Sequence, residues 1–414
     1  MTYKLNRTGW KVVAVSSAII SLSLVGPLAL GADAASRTRT CAGHSRNWIR
    51  THRCVAAPVT TVDPAPTTDP VSTTVAPDPA PITTPAPAPT TAPSTTAPAS
   101  TTVPPPATTP PPPSPGNSTD TNCAAVPSRC GYPDATNTGP APGTVLKRVP
   151  QDLKSGPGWA WESDFQRLRV TGSGAVLNGL NVSGPVVIDA PNVTLSNSIV
   201  NYCDVDGDIV AIRAGSPTDG YIGDNATINH NRLFCDQPTT NRSRSGVRDV
   251  YGEAKGVRVT GNEITGTGNG ITLEYEGVAT DNWIHDLGHL PGDHHSGVST
   301  HGGAKSIVFS HNTLLLANTS TSGGGGLSGA ITSYGDFGHA QNMTAQDNLI
   351  SGGAYTVYGG INNEATYGNP TNINFLNNRF VCGSWVYGPA FLRSGPTNHF
   401  TGNICDATLA TVNP

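Results

Sequence analysis

The chain has 414 residues with 24 Lys/Arg against 28 Asp/Glu, a formal net charge of −4, and only 13% of its residues are charged. Eight of the Lys/Arg but a single acid, Asp33, fall in residues 1–55, which leaves 16 basic and 27 acidic residues in the remainder. An acidic body excludes nucleic acid as the main partner, because phosphate neutralisation needs clustered Lys and Arg.

In chain order, residues 1–34 read as a secretory signal peptide: Lys4, Arg7 and Lys11, then an apolar run from Val12 to about Leu30, then Ala32-Asp33-Ala34 as an A-x-A cleavage site. No later run is long and apolar enough to span a bilayer, so the expectation is a secreted protein with no transmembrane span after cleavage. Residues 35–55 form a small basic segment, SRTRTCAGHSRNWIRTHRC, with five arginines around Cys41 and Cys54. It fits a clip for an anionic cell envelope, and equally a solvated positively charged terminus. Residues 56–121 are Thr, Pro, Ala and Ser almost throughout. Such a tract has too little to bury to form a core and is expected to be a disordered, extended spacer, of the composition of O-glycosylated stalks.

Eight cysteines, an even number, suit a disulfide framework in an oxidising compartment. The simplest pairing is sequential: Cys41–Cys54, Cys123–Cys130, Cys203–Cys235 and Cys382–Cys405.

From residue 122 onward the composition turns to Gly, Asn, Thr, Val and Ile, and a repeat emerges. Asn, any residue, then an apolar residue recurs at Asn197, Asn231, Asn262, Asn282, Asn312, Asn348, Asn378 and Asn403, 20 to 36 residues apart. Each motif ends an alternating run such as VRVTGNEI or IVFSHNTL, and alternation means strands. One such coil cannot bury its apolar side chains alone, whereas stacked coils share an interior. The expectation for residues 122–414 is therefore an all-β solenoid with the asparagines laddered at matching turns, where Asn tolerates left-handed geometry.

The stretches GYPDATNTGPAPGT, SGPGWAW, GDHHSGVSTHGG, SGAITSYGDF and WVYGPAFL…GNIC give residues from about Cys130 to Cys405 a resemblance to right-handed parallel β-helix proteins secreted by actinobacteria, within the pectate-lyase-like superfamily. The resemblance implies a carbohydrate-active protein, a lyase or glycoside hydrolase, or else a non-catalytic polysaccharide-binding or adhesion module. Related β-helices often read H-S/T-D-G where this chain reads His295-Ser296-Gly297, so one expected Asp is missing.

One strand per coil should build an exposed sheet: IVAIRAG, SGVRDVYG, NGITLEYEG, SGVSTHGG, SGAITSYGD and YTVYGG. Aligning glycines stacks Arg248, Thr272, Ser299 and Ile331, then Glu274 with His301, then Tyr251 and Tyr275 with Tyr334. Five of the eleven histidines lie between His285 and His301, which places a His-rich loop over this sheet. The catalytic candidates are Glu274, Asp293, His294, His295 and His301; the substrate-binding candidates are Arg248, Tyr251, Lys255, Tyr275, Tyr334 and Tyr358. A hydrolase needs two carboxylates, Glu274 with Asp293 or with Asp249. A lyase needs a base, from His294, His301, Lys255 or Arg248, and a cation such as calcium held by Glu274, Asp293 or Asp249. His285, His289 and His294 with Asp293 could alternatively hold a metal. The same loop could also be merely hydrogen-bonded.

Overall fold

A computed structural model describes residues 119–414 apart from residues 217, 239, 319–324 and 362–363. The segment read as a signal peptide, the basic segment with Cys41 and Cys54, and all but the last residues of the Thr/Pro tract lie outside the described residues. The described residues form a parallel β-helix. Each coil runs through three short strands, and successive coils stack into parallel sheets of ten, eleven and nine strands. Antiparallel pairing between strands is confined to the start of the eleven-stranded sheet, where Ser155–Gly156, Trp159–Glu162 and Arg167–Val170 form a cap, apart from single bridges at Gly329–Gly353 and Ile404–Thr411. Trp159 and Trp161 are buried there, which gives the mouth of the solenoid an apolar plug. Among the described residues no helix is long and apolar enough to cross a membrane.

Alternation explains the core. On each strand the residues at every second position point inward, and they stack by kind: Val247, Ile271, Val298, Ile331 and Val357 are each 0% exposed and pair in register from one coil to the next. Neighbouring strands lie about 4.8 Å apart, so each inward side chain rests on the one below it.

The asparagine motif forms a ladder with one correction. Asn231, Asn262, Asn282, Asn312, Asn348, Asn378 and Asn403 are all buried. From Asn262 onward each side-chain carbonyl accepts from the backbone N–H and the side-chain amide of the preceding coil's Asn, as Asn312 Oδ1 does from Asn282 at 3.0 and 2.9 Å. Asn197 is not on the ladder. Ser198 takes that place and donates its N–H to Asn231 Oδ1 at 3.0 Å. Nor do the ladder asparagines adopt the left-handed conformation. The residue before each does: Asn197, His230, Gly261, Asp281, His311, Asp347, Asn377 and Gly402 all have positive φ, between 47° and 71°. Turning is assigned to one position and amide bonding to the next.

Three disulfides join Cys123 to Cys130, Cys203 to Cys235 and Cys382 to Cys405. The first lies in a segment that the repeat pattern did not reveal. Residues 120–124 dock on the last coil: the N–H groups of Cys123 and Ala124 bind the Asp406 carboxylate at 2.9 and 3.0 Å, and the buried Arg379 guanidinium donates to Asp120 O at 2.7 Å. The chain then runs back along the solenoid. Tyr132 packs on Leu349 and stacks on His311, Gly139 donates to Gly261 O, and Lys147–Val149 pairs with Leu180–Val182 at the first coil. A strap thus spans the outside of the ten-stranded sheet from last coil to first.

Candidate functional site

The six expected surface strands all lie in the eleven-stranded sheet, as Asp208–Ile212, Ser243–Asp249, Thr267–Thr272, His294–Thr300, Gly326–Tyr334 and Tyr355–Ile361. Arg248, Thr272 and Ser299 pair in register, with the Thr272 and Ser299 hydroxyls 3.1 Å apart. The next residue in this row is Thr332, not Ile331, and Tyr358 and Phe391 follow it. The cause is a bulge between His295 and Ser296, which advances the partner strand by one residue. A one-residue slip exchanges faces, so Ile331 turns into the core and Tyr334 falls beside His301 instead of joining Tyr251 and Tyr275.

Glu274 and His301 meet. His301 donates its backbone N–H to Glu274 Oε2 at 2.7 Å, and its Nδ1 lies 2.7 Å from Oε1. A carboxylate at Nδ1 fixes the tautomer in which Nδ1 carries the proton and Nε2 carries the lone pair. The two groups shift each other. Burial works against charging His301, but the Glu274 charge and hydrogen bond outweigh it and raise the imidazole above its usual value. Burial likewise pushes Glu274 up, and the His301 charge and hydrogen bonds, with Arg248 adding its field, bring it below the ordinary carboxylate value. Tyr334 and Phe337 flank the imidazole, with ring centroids at 5.8 and 5.9 Å. Burial raises the Tyr334 phenol, whose hydroxyl is hydrogen-bonded among Ser296, Ser328 and Thr332. Arg248, Glu274, His301 and Tyr334 therefore share one place on the outer face.

The other three catalytic candidates do not join them. Asp293 and His301 stand at opposite ends of the strand His294–Thr300, eight residue steps or about 26 Å apart. Asp293 is clamped by Arg242, with 2.6 Å from Nε and from Nη2, and accepts the Leu290 N–H at 2.7 Å. Burial opposes its ionisation, and those bonds outweigh burial and lower its pKa. It ties two loops together. The Glu274–Asp293 pair of a hydrolase is accordingly not assembled. His295 is 3% exposed, and burial holds its imidazole down at about 4, against the pull of Asp293, so it stays neutral within the strand His294–Thr300. His294 is exposed and lines a separate cleft with Tyr358 and Tyr387.

Asp249, the alternative second carboxylate, is 2% exposed and turned into a corner, where it accepts the N–H groups of Gly252 and Ala254 at 3.1 Å each. Burial, with Glu274 nearby, lifts it to about 7. Asp293 stands apart from Glu274 and Asp249, and the oxygens of all three are committed to other partners, so they do not fit a calcium cage. His285, bonded to Asp286 at 2.7 Å and stacked on Trp283, belongs to the ten-stranded sheet. The one metal-type group found among the described residues is Cys203, Cys235 and Asp236, and its two cysteines are joined as a disulfide.

Of the substrate-binding candidates, Tyr358 lies on the outer row and 5.9 Å from Tyr334. Tyr251 stacks on Tyr221, which Arg213 covers at 3.7 Å, nearer the first coils. Lys255 and Tyr275 sit in corners leading to the nine-stranded sheet, where Lys255 N–H binds Asp224 and Tyr275 O accepts from Lys305 N–H. Residues that the sequence reading passed over include Phe337, beside the dyad, and Tyr355, Tyr387 and Phe391, which cluster with Tyr358. The bulge hid the first; the other three carry no spacing signal. Compared with family models, curated proteins and solved structures, the chain shows no match.

Proposed function

We propose that this is a secreted β-helix protein, carried on a stalk, that binds a polysaccharide along the outer face of its eleven-stranded sheet and cleaves it at the Glu274–His301 pair. The observation that carries this reading is the 2.7 Å contact between His301 Nδ1 and Glu274 Oε1, which makes Nε2 a positioned base. The resemblance to pectate-lyase-like β-helices of actinobacteria supports the same substrate class.

Between the two cleavage chemistries, the residues favour β-elimination. Hydrolysis needs two carboxylates facing one bond, and Asp249 and Asp293 are both turned away. Elimination needs a base at the proton α to a uronate carboxylate and a positive charge for that carboxylate. His301 Nε2 takes the proton, the electron pair forms the new double bond, and the bond to the leaving sugar oxygen breaks. Arg248 supplies the charge, and the leaving oxygen takes its proton from solvent in the open groove. No metal enters this scheme.

The test is to incubate the full chain with uronate-containing and neutral polysaccharides, with and without chelator. The expected result is an ultraviolet rise from unsaturated uronates that survives chelator and falls by about 10²–10⁴ in His301→Ala, the range for losing a general base. Release of reducing ends without that absorbance would sink the elimination scheme.

A further inference from the structure

Beyond the dyad, toward the last coils, the groove changes character. Tyr334, Tyr358 and Tyr355 follow one another, and Tyr355 contacts both Phe391 and Tyr387, with ring centroids 5.3 to 5.9 Å apart in each pair. Tyr355 has room to lie over the neighbouring coil because that position is Gly388, where a Cβ would come within 3.2 Å of its ring. Tyr387 is 73% exposed and Val386 is 60% exposed, unusual for large apolar groups side by side. With Tyr358, His294, Asn318 and Ser328 they line a cleft of about 530 Å³. Its floor is held firm, since Asn318 Oδ1 accepts the Gly353 N–H at 2.5 Å and its amide donates to Ser384 O.

The contrast with the first coils is in charge. There, Arg169 and Arg213 share Asp189, and Arg167 and Arg169 bind Glu162, on the same sheet whose next coil presents Arg248. Among the described residues, the lining of the cleft beyond Tyr358 has no carboxylate, lysine or arginine, and its ionisable groups are His294 and the Tyr358 and Tyr387 phenols.

The geometry points to a second set of sugar subsites, in which Tyr358 and Tyr387 stack uncharged pyranose rings of the same chain that places its uronate beside Arg248 and His301. This rests on the proposed polysaccharide reading and refines it: the substrate is a heteropolysaccharide in which neutral rings adjoin a uronate, not a homopolyuronate. The apolar faces of neutral rings match aromatic platforms, the rings follow the Thr332–Tyr358–Phe391 row without a break, and a carboxylate placed in the cleft would find no Lys or Arg among its described residues. Fixed polar partners, the Ser328 hydroxyl and Asn318 among them, suit sugar hydroxyls.

The experiment measures retention of the full chain on soluble probes: cello-, manno-, xylo- and laminari-hexaose as neutral chains, and polygalacturonate and polymannuronate as charged ones, at low and high salt. At least one neutral hexaose is expected to be retained with no salt dependence. Tyr387→Ala and Tyr358→Ala should each weaken that retention by about tenfold, the loss of one stacking partner, while Phe165→Ala, which removes an exposed ring near the first coils, leaves it unchanged. Retention of polyuronates alone, falling with salt and indifferent to Tyr387→Ala, overturns the inference. So does failure to retain any neutral probe. Retention of a neutral chain with no cleavage of any polysaccharide would preserve these subsites while removing the lyase reading, so the two failures are distinct.

Discussion

Replacing Asn312 by Ala probes the ladder at its middle. The change deletes four hydrogen bonds: Nδ2 to Ala279 O at 2.9 Å and to Asn348 Oδ1 at 3.0 Å, and Oδ1 from Asn282 N–H at 3.0 Å and from Asn282 Nδ2 at 2.9 Å. Asn348 Oδ1 keeps a donor, because the backbone N–H of residue 312 still reaches it. The Asn282 N–H does not, and it lies where water has no access. Four bonds at about 1 kcal/mol net each, with about 1–2 kcal/mol more for one orphaned donor, give a loss of about 5 kcal/mol. Asn197→Ala is the control. It removes the 2.8 Å bond to Asn178 and puts a less tolerant residue at φ 47°, which together cost about 1–2 kcal/mol. The assay is denaturant unfolding of the full chain followed by far-ultraviolet circular dichroism. If Asn312→Ala unfolds no earlier than Asn197→Ala, the ladder asparagines do not carry the load assigned to them.

The pH profile of cleavage should show a limb rising as His301 loses its proton, centred above the ordinary imidazole value because Glu274 raises it; Glu274→Gln should move that limb to lower pH, and an unmoved limb would separate the two residues. His295 has the opposite sign. Its folded-state value is depressed from 6.5 to about 4, so the native state binds fewer protons than the unfolded chain between those values and stability is lost as pH falls through that window. The amount is on the order of 3 kcal/mol, and His295→Gln should flatten the dependence seen in denaturant titrations between pH 4 and 6.5. Arg242→Met, which leaves the Asp293 carboxylate without its clamp, should cost about 3 kcal/mol yet leave the rate of the proposed cleavage by the folded variant within a few-fold of wild type; a collapse of that rate in a variant that still folds would return Asp293 to the chemistry.

Much of the fold could be read because a solenoid writes its period into the chain. Alternating strands and seven of the eight Asn motifs found their coils, since buried amide stacking tolerates few other side chains. Asn197 misled because the residue before the ladder also favours Asn, there for its left-handed backbone. The site was legible only in part. Glu274 and His301 share a row that glycine alignment places correctly, because no bulge lies between Thr272 and Ser299. Past His295 the bulge shifts the pairing by one, and that shift is a backbone event with no residue signature. Asp293 looked free because its partner, Arg242, lies 51 residues away, beyond any local pattern. The strap was invisible for the same reason: nothing near Cys123 names Asp406.

That strap sets an order of events. A solenoid whose coils touch only their neighbours can assemble progressively from any point. Here the first described residues bind the last coil, across a separation of 283 residues between Cys123 and Asp406, so this contact cannot form until nearly the whole chain has emerged. Docking the strap is a long-range closure of high contact order that locks a finished stack. It also means that tension on the Thr/Pro tract enters the molecule through Asp406 and Arg379 at the far end, and not by peeling the first coil.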